Sequence, residues 1–202
     1  MPLEKQLIIE DLITIGAVKF GEFVLKSGIV SPIYLDLRLV ISYPLLLQRI
    51  AKALLDISKE LSFARIAGIP YTALPIATAF SLLSGKPMIY CRKEAKNYGT
   101  SRLIEGIWEE GDEVLVIDDL ITDGGSKLET FAKFEREGLK IAGTIVLIDR
   151  EQGGKERLKN EGYQLFSIIS IFEILETMKS TKRIDTQAYK NILQFLSQHQ
   201  SR

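Results

Sequence analysis

The chain predicts a single α/β domain built on a mostly parallel central sheet flanked by helices. Short β-branched runs alternate with amphipathic stretches along most of its 202 residues. The run at residues 114–117 is continuously apolar, as strands covered on both faces of a parallel sheet are. An apolar content of 46%, with no Pro- or Ser-rich linker, gives one substantial core and no sign of a second. One domain over residues 1–202 is therefore expected.

The elements follow from periodicity and punctuation. An amphipathic helix is expected over residues 3–15, followed by a glycine-punctuated segment to Asp36. A helix over about 44–61 starts with Pro44 in its first turn, where a missing amide costs nothing. Residues 65–69, 88–91, 113–118, 141–148 and 164–170 are the expected strands. Helices near 73–83, 126–137 and 155–161 lie between most of them. A last helix over 185–198 is capped by Asp185 and carries Tyr189, Ile192, Leu193 and Leu196 as its apolar stripe, which suits packing on the domain. Internal repeats and low-complexity tracts are absent from the sequence.

Composition removes whole classes of function. The 26 acidic and 26 basic residues balance, so no global field points to nucleic acid. The opening Met-Pro-Leu-Glu-Lys has no basic stretch followed by an apolar one, and no apolar run approaches the ~18 residues that span a bilayer. A soluble cytoplasmic protein is expected. Cys91 and His199 are the only residues of their kinds, which argues against disulfides, Cys/His zinc sites and Ser-His-Asp or Cys-His catalysis. Chemistry must rest on carboxylates, lysines, arginines and backbone. Cys91 ends an apparent strand and is expected to be a small buried hydrophobe.

Residues 114–126, Val-Leu-Val-Ile-Asp-Asp-Leu-Ile-Thr-Asp-Gly-Gly-Ser, concentrate the functional signal. Asp118 and Asp119 are expected at the carboxyl end of the strand, where open α/β sheets bind ligands. Leu120 and Ile121 lead into Thr122, Asp123, Gly124, Gly125 and Ser126, and then into a helix with Leu128, Phe131 and Phe134 on one side. Glycines there let backbone N–H groups turn inward at a helix N-terminus, which makes an anion site. Taken singly, the acids could be a cap with a solvated neighbour, and the glycine turn only a turn. Together they suit a ligand with a diol and a phosphate, such as ribose 5-phosphate. Asp123 is open to two roles, at the sugar edge or as a cap of the helix.

The interval 92–106 breaks the alternation with a long polar connection carrying Arg92, Lys93, Lys96 and Arg102. Such connections are solvated surface loops or functional ones. Mobile cations near a phosphate site could close over a polyanionic leaving group, neutralise its charge and exclude water. Residues 68–75, Gly-Ile-Pro-Tyr-Thr-Ala-Leu-Pro, follow a strand and can turn tightly toward a polyanion. Arg150 follows another strand, where a guanidinium could pair bidentately with a ligand carboxylate or form an ion pair with Asp149 or Glu151.

The 114–126 run resembles the phosphoribosyl-pyrophosphate signature of the type I phosphoribosyltransferases. Residues 20–36, Phe-Gly-Glu-Phe-Val-Leu-Lys-Ser-Gly-Ile-Val-Ser-Pro-Ile-Tyr-Leu-Asp, resemble the orotate-site segment of the orotate phosphoribosyltransferases. Residues 92–99, Arg-Lys-Glu-Ala-Lys-Asn-Tyr-Gly, resemble their mobile catalytic loop. The likeness continues through 68–75 and 147–154, so it covers about residues 20–176, and it is nearest to the orotate phosphoribosyltransferase half of the fused UMP synthases.

This resemblance implies a type I phosphoribosyltransferase fold, with a small N-terminal hood segment within about residues 1–40, a core over about 63–175 and the C-terminal helix. It implies Mg2+-dependent transfer of a 5-phosphoribosyl group from phosphoribosyl pyrophosphate to orotate, in a homodimer whose loop 92–106 reaches the neighbouring site. Asp118 and Asp119 would hold the ribose, Leu120 and Ile121 would belong to the phosphoribosyl-pyrophosphate site, residues 122–126 would take the 5-phosphate, and Arg92, Lys93 and Lys96 would clamp the leaving group. Lys26, Tyr71, Thr72 and Tyr98 would contact the diphosphate; Lys26, Tyr34, Leu35, Thr122 and Arg150 would form the orotate site. Mg2+ would be held mainly by substrate and water, with Asp118 or Asp119 as the protein's contribution. Many bacterial members carry lysine where Thr72 stands and histidine where Tyr98 stands, so these two are expected as contacts rather than catalytic groups.

Three rivals share parts of the pattern. A non-catalytic regulator that senses phosphoribosyl pyrophosphate would typically add a DNA-binding module or a basic face, and neither is seen. A phosphoribosyltransferase for another nucleobase would lack the match over 20–36 and 92–99. A receiver domain places its acids earlier in the chain and lacks the glycine cradle.

Overall fold

The computed structural model describes residues 3–24, 28–92 and 103–199. Its centre is a six-stranded sheet of order β5-β4-β3-β6-β7-β8. These strands are β3 (Arg65–Gly68), β4 (Met88–Cys91), β5 (Ile104–Glu105), β6 (Glu113–Ile121), β7 (Lys140–Asp149) and β8 (Leu165–Ser170). All neighbours are parallel except β5, which runs antiparallel to β4.

Period-two alternation along β6 divides the molecule into layers. Leu115 and Ile117 enter one apolar cluster, and Val114 and Val116 the other. The first cluster is covered by α1 (Leu3–Thr14), α2 (Pro44–Ser58), α3 (Ala73–Ser84), α6 (Ile171–Ser180) and α7 (Thr186–Gln198). The second is covered by α4 (Gly125–Arg136) and α5 (Gly154–Asn160), through Phe131, Phe134 and Leu158. Ile8, Ile9 and Leu12 of α1 are fully buried in the first cluster, so this helix belongs to the body rather than the hood.

The hood is a β-hairpin of β1 (Val18–Val24) and β2 (Val30–Leu35), followed by a 3-10 helix, Leu37–Ser42. The glycine-punctuated segment thus forms strands. Its register shifts between Phe20 and Phe23, around Gly21 at φ +146°, and Phe23 stacks on Tyr34 with ring centroids 5.4 Å apart.

Three further differences from the sequence-based expectation have physical reasons. Strand β6 ends at Ile121 rather than Asp118, because pairing with β7 continues through Ile121 and Asp149. The acidic pair therefore lies inside a strand. The 92–106 connection is not wholly irregular, since β5 pairs with β4 and Arg92 N–H donates to the Leu103 carbonyl at 2.9 Å. Helix α6 follows β8 directly, started by a capping box: Ser170 Oγ accepts from the Glu173 amide and the Glu173 carboxylate accepts from the Ser170 amide.

Candidate active site

Contacts with α4 separate the two acids. Asp118 continues the face of Val114 and Val116, toward α4, and beyond it the alternation breaks, with Leu120 packed on the first cluster and Ile121 in the second. Lys127, in the first turn of α4, is only 3% exposed. Its Nζ donates to Asp118 Oδ2 and to the Leu120 carbonyl, both at 2.6 Å. Asp118 Oδ1 accepts from the Asp119 amide at 2.8 Å, and Asp119 Oδ1 accepts from the Leu120 amide at 2.8 Å. Burial raises the Asp119 carboxyl to about 7, with the Asp118 charge and hydrogen bond pushing the same way; the Leu120 amide and the Lys127 ammonium pull back.

Beyond Ile121 the chain turns through Thr122 and Asp123 to Gly124, which caps α4 in the left-handed region at φ +80°. The Gly125 amide donates to Asp123 Oδ1 at 3.3 Å, and Arg157 Nη1 lies 3.3 Å from Asp123 Oδ2. Asp123 therefore serves the turn from both sides. The amides of Gly124 and Ser126 donate to no protein group among the described residues. They stand at the positive end of α4, the arrangement that takes a phosphate. Ile121 is fully buried in the second core cluster, so its side chain serves packing, and only its backbone belongs to the ligand turn.

A cavity of about 920 Å³ opens over this floor. Asp118, Asp119, Leu120, Thr122, Asp123, Gly124 and Ser126 line it, together with Tyr71 and Thr72 ahead of α3 and Arg92 at the end of β4. Arg92 is ion-paired with Glu105 across the β4–β5 hairpin. A smaller cavity of about 320 Å³ adjoins, lined by Tyr34, Leu35, Leu37, Arg38, Thr72, Asp119, Leu120 and Arg150. Of the two acids, only Asp119 reaches both.

Arg150 is 7% exposed, and its Nε and Nη2 have no hydrogen-bond partner among the described residues. Desolvation lowers its pKa from the usual value. The ion pair with Asp149 or Glu151 that its position allowed is not formed. Instead Asp149 Oδ1 accepts from the Glu151 amide at 2.7 Å, with Glu151 held at φ +51°, and the Arg150 amide donates to the Ile121 carbonyl at 3.0 Å. A buried guanidinium left unpaired and facing a small cavity is an anion receptor. Beyond it, Gln152 Nε2 donates to the His199 carbonyl at 3.1 Å, tying this loop to α7.

Among the expected site residues, Lys26, Lys93, Lys96 and Tyr98 lie outside the described residues. The expected residues that line the cavities are Tyr34, Leu35, Tyr71, Thr72, Arg92, Asp118, Asp119, Leu120, Thr122, Asp123, Gly124, Ser126 and Arg150. Sequence reasoning missed Arg38 and Lys127. Arg38 lines both cavities, its Nε 2.7 Å from Asp36 Oδ1, and Lys19 holds the other Asp36 oxygen at 3.1 Å. Arg38 and then burial, opposed, dominate the Asp36 carboxyl, which lies below its usual pKa. Asp36-x-Arg38 was a visible signal; Lys127 carried none, because a lysine one residue past Ser126 looks like a solvated helix residue.

No cluster of three metal-ligating side chains occurs among the described residues. The donor set is the carboxylate pair, with one member already held by Lys127. It fits a hard cation carried largely by substrate oxygens and water, to which Asp119 or Asp118 adds an oxygen.

A layered parallel sheet with a carboxylate pair, a glycine turn at a helix N-terminus and a hooded side cavity is an arrangement suited to a phosphoribosyl group. Residues 42–181 match the phosphoribosyl transferase domain family. Uridine 5'-monophosphate synthase of Bos taurus is 40% identical over 95% of this chain and 40% of its own length. Orotate phosphoribosyltransferase of Pyrococcus abyssi is 36% identical over 88% of this chain and 99% of its own. The UMP synthase structure from Leishmania donovani superposes with a TM-score of 0.89 at 36% identity, covering 98% of this chain and 43% of that one. The chain belongs to the phosphoribosyltransferase family, among the orotate phosphoribosyltransferases, and spans less than half the length of the UMP synthases it matches.

Proposed function

We propose that the chain transfers the 5-phosphoribosyl group of phosphoribosyl pyrophosphate to a ring nitrogen of orotate, giving orotidine 5'-monophosphate and pyrophosphate for UMP biosynthesis. The observation that carries the choice of base is Arg150: a buried, unpaired guanidinium at the small cavity suits a base bearing a carboxylate. Its relatives' names point the same way.

The reaction breaks an anomeric C–O bond while positive charge develops on the sugar, so the protein must hold the sugar and stabilise the departing charge. Asp118 and Asp119 accept hydrogen bonds from the ribose hydroxyls and favour the cationic ring. The Gly124 and Ser126 amides, with Thr122, Asp123 and Gly125 shaping the turn, hold the 5-phosphate. Tyr71, Thr72 and Arg92 border the space for the diphosphate; Lys26, Lys93, Lys96 and Tyr98 complete its contacts. Arg150 takes the orotate carboxylate, while Tyr34, Leu35, Lys26 and Thr122 bound its ring. No protein nucleophile is required. Mg2+, when bound, neutralises diphosphate charge.

The same reading makes the protein a homodimer, with loop 92–106 of each copy at the other's site. No described helix is long and apolar enough to cross a membrane, and a cytoplasmic location fits the metabolic role. The test is orotate loss followed by absorbance with phosphoribosyl pyrophosphate and Mg2+, beside uracil, hypoxanthine and adenine. Orotate should be consumed alone; preference for another base replaces the substrate, and ligand binding without turnover supports a regulator.

A further inference from the structure

Three features of its place set Lys127 apart from an ordinary helix lysine. It is buried to 3% exposure, where an ammonium loses its hydration. It sits in the first turn of α4, at the end of the helix dipole that repels cations. It follows directly on the phosphate turn, in the wall of the larger cavity. A solvated helix lysine would not meet all three conditions, so the contacts that hold it are specific.

Those contacts act on one acid of the pair. The ammonium bonds Asp118 Oδ2 and the Leu120 carbonyl, while the Asp119 amide takes Asp118 Oδ1. Both Asp118 oxygens are thereby gripped from within the protein. Asp119 has no ion pair with a basic side chain among the described residues and lies between the two cavities. The contact itself makes the difference structural: Lys127 of α4 bonds the Asp118 carboxylate, and no ion pair joins Lys127 to Asp119.

We infer that Lys127 is a positioning residue for ribosyl transfer, which acts through Asp118. It clamps that carboxylate from the helix side and so makes the acid pair unequal. Asp118 becomes a rigid acceptor in the sugar cavity, and Asp119 is the member that adapts between sugar and base. The same clamp ties the acid pair to the phosphate turn, because Lys127 N–H also donates to the Gly124 carbonyl at 3.1 Å. This inference rests on the phosphoribosyl-transfer reading of the site.

The test compares Lys127→Met, Asp118→Asn and the double variant Lys127→Met/Asp118→Asn with the wild type in orotidine monophosphate formation, well below each melting midpoint. Lys127→Met should lower kcat/KM for phosphoribosyl pyrophosphate by about 30-fold or more, with orotate KM within threefold. In the Asp118→Asn background the same change should cost less than twofold, since nothing remains to be positioned. A loss as large in both backgrounds, or none in the first, overturns the inference. Lys127→Gln keeps a neutral donor and covers the case in which Lys127→Met does not fold. It should lose about three- to tenfold in kcat/KM for phosphoribosyl pyrophosphate; no loss, or an equal change in orotate KM, overturns the idea. Calorimetric titration of phosphoribosyl pyrophosphate separates the two readings. A wild type that makes no orotidine monophosphate refutes the choice of reaction, while tenfold weaker binding to the folded lysine variant still supports the role of Lys127 and unchanged binding then refutes it.

Discussion

Gly154 packs directly against Thr122. Its amide donates to the Thr122 carbonyl at 3.0 Å, and a Cβ at Gly154 would lie 2.7 Å from that oxygen and 2.6 Å from Ile121 Cγ1. The start of α5 is thus a buttress for the phosphate turn. Gly154→Ala must push the turn aside, at a cost of about 1–3 kcal/mol. It should lower Tm by several degrees and raise KM for phosphoribosyl pyrophosphate about tenfold or more, with a smaller effect on orotate KM. Melting curves and initial-rate kinetics check both.

Arg150 trades stability for binding. A buried guanidinium without a partner is unfavourable, so Arg150→Met should raise Tm of the free protein by about 2–4 °C, the shift expected from ~1 kcal/mol in a chain of this size. Orotate KM should rise about 100-fold or more, with binding of phosphoribosyl pyrophosphate little changed. A variant less stable than wild type, or one with normal orotate KM, contradicts the assignment.

Asp119 gives a pH dependence of definite sign. Its carboxyl is raised from 3.8 to about 7 in the folded protein, so the native state holds a proton that the unfolded chain releases. Between those values the native state binds more protons, and stability from this group falls as pH rises. Tm should therefore decline between about pH 4 and 7, and Asp119→Asn should flatten that decline. Buffered melts at constant ionic strength decide it.

Arg38 is held by Asp36, and Lys19 shares the same carboxylate. Arg38→Ala should raise orotate KM about tenfold by removing a cation from the seam between the cavities. Asp36→Asn should do less, because the charge of Arg38 remains while its aim is lost. Equal kinetics for both variants and wild type would show that Arg38 is only a surface residue.

The sequence showed the layers better than the site's wiring. Apolar strands, capped helices and glycine turns are local signals, and the parallel sheet, α7 and the phosphate turn followed from them. Helix α6 was not among the expected elements, although Ser170 and Glu173 have capping-box spacing ahead of Ile174, Leu175 and Met178. The end of β6 was not legible, because carboxylates look like a strand terminus until pairing with β7 is known. Lys127 and Gln152 were hidden for a related reason: both are polar residues whose burial is decided by partners elsewhere in the chain. Arg150 was visible as a candidate, but its freedom from Asp149 is a fact of loop geometry.

The hydrogen bond from Gln152 to the His199 carbonyl joins the loop of Arg150 to the last turn of α7. Free-energy coupling is reciprocal: if that helix steadies the loop that receives the anion, the anion must steady the helix by an equal amount. Occupancy of the small cavity should then slow amide exchange in α7, a segment that lines neither cavity. The C-terminal helix would in effect report, from outside, whether the base is in place.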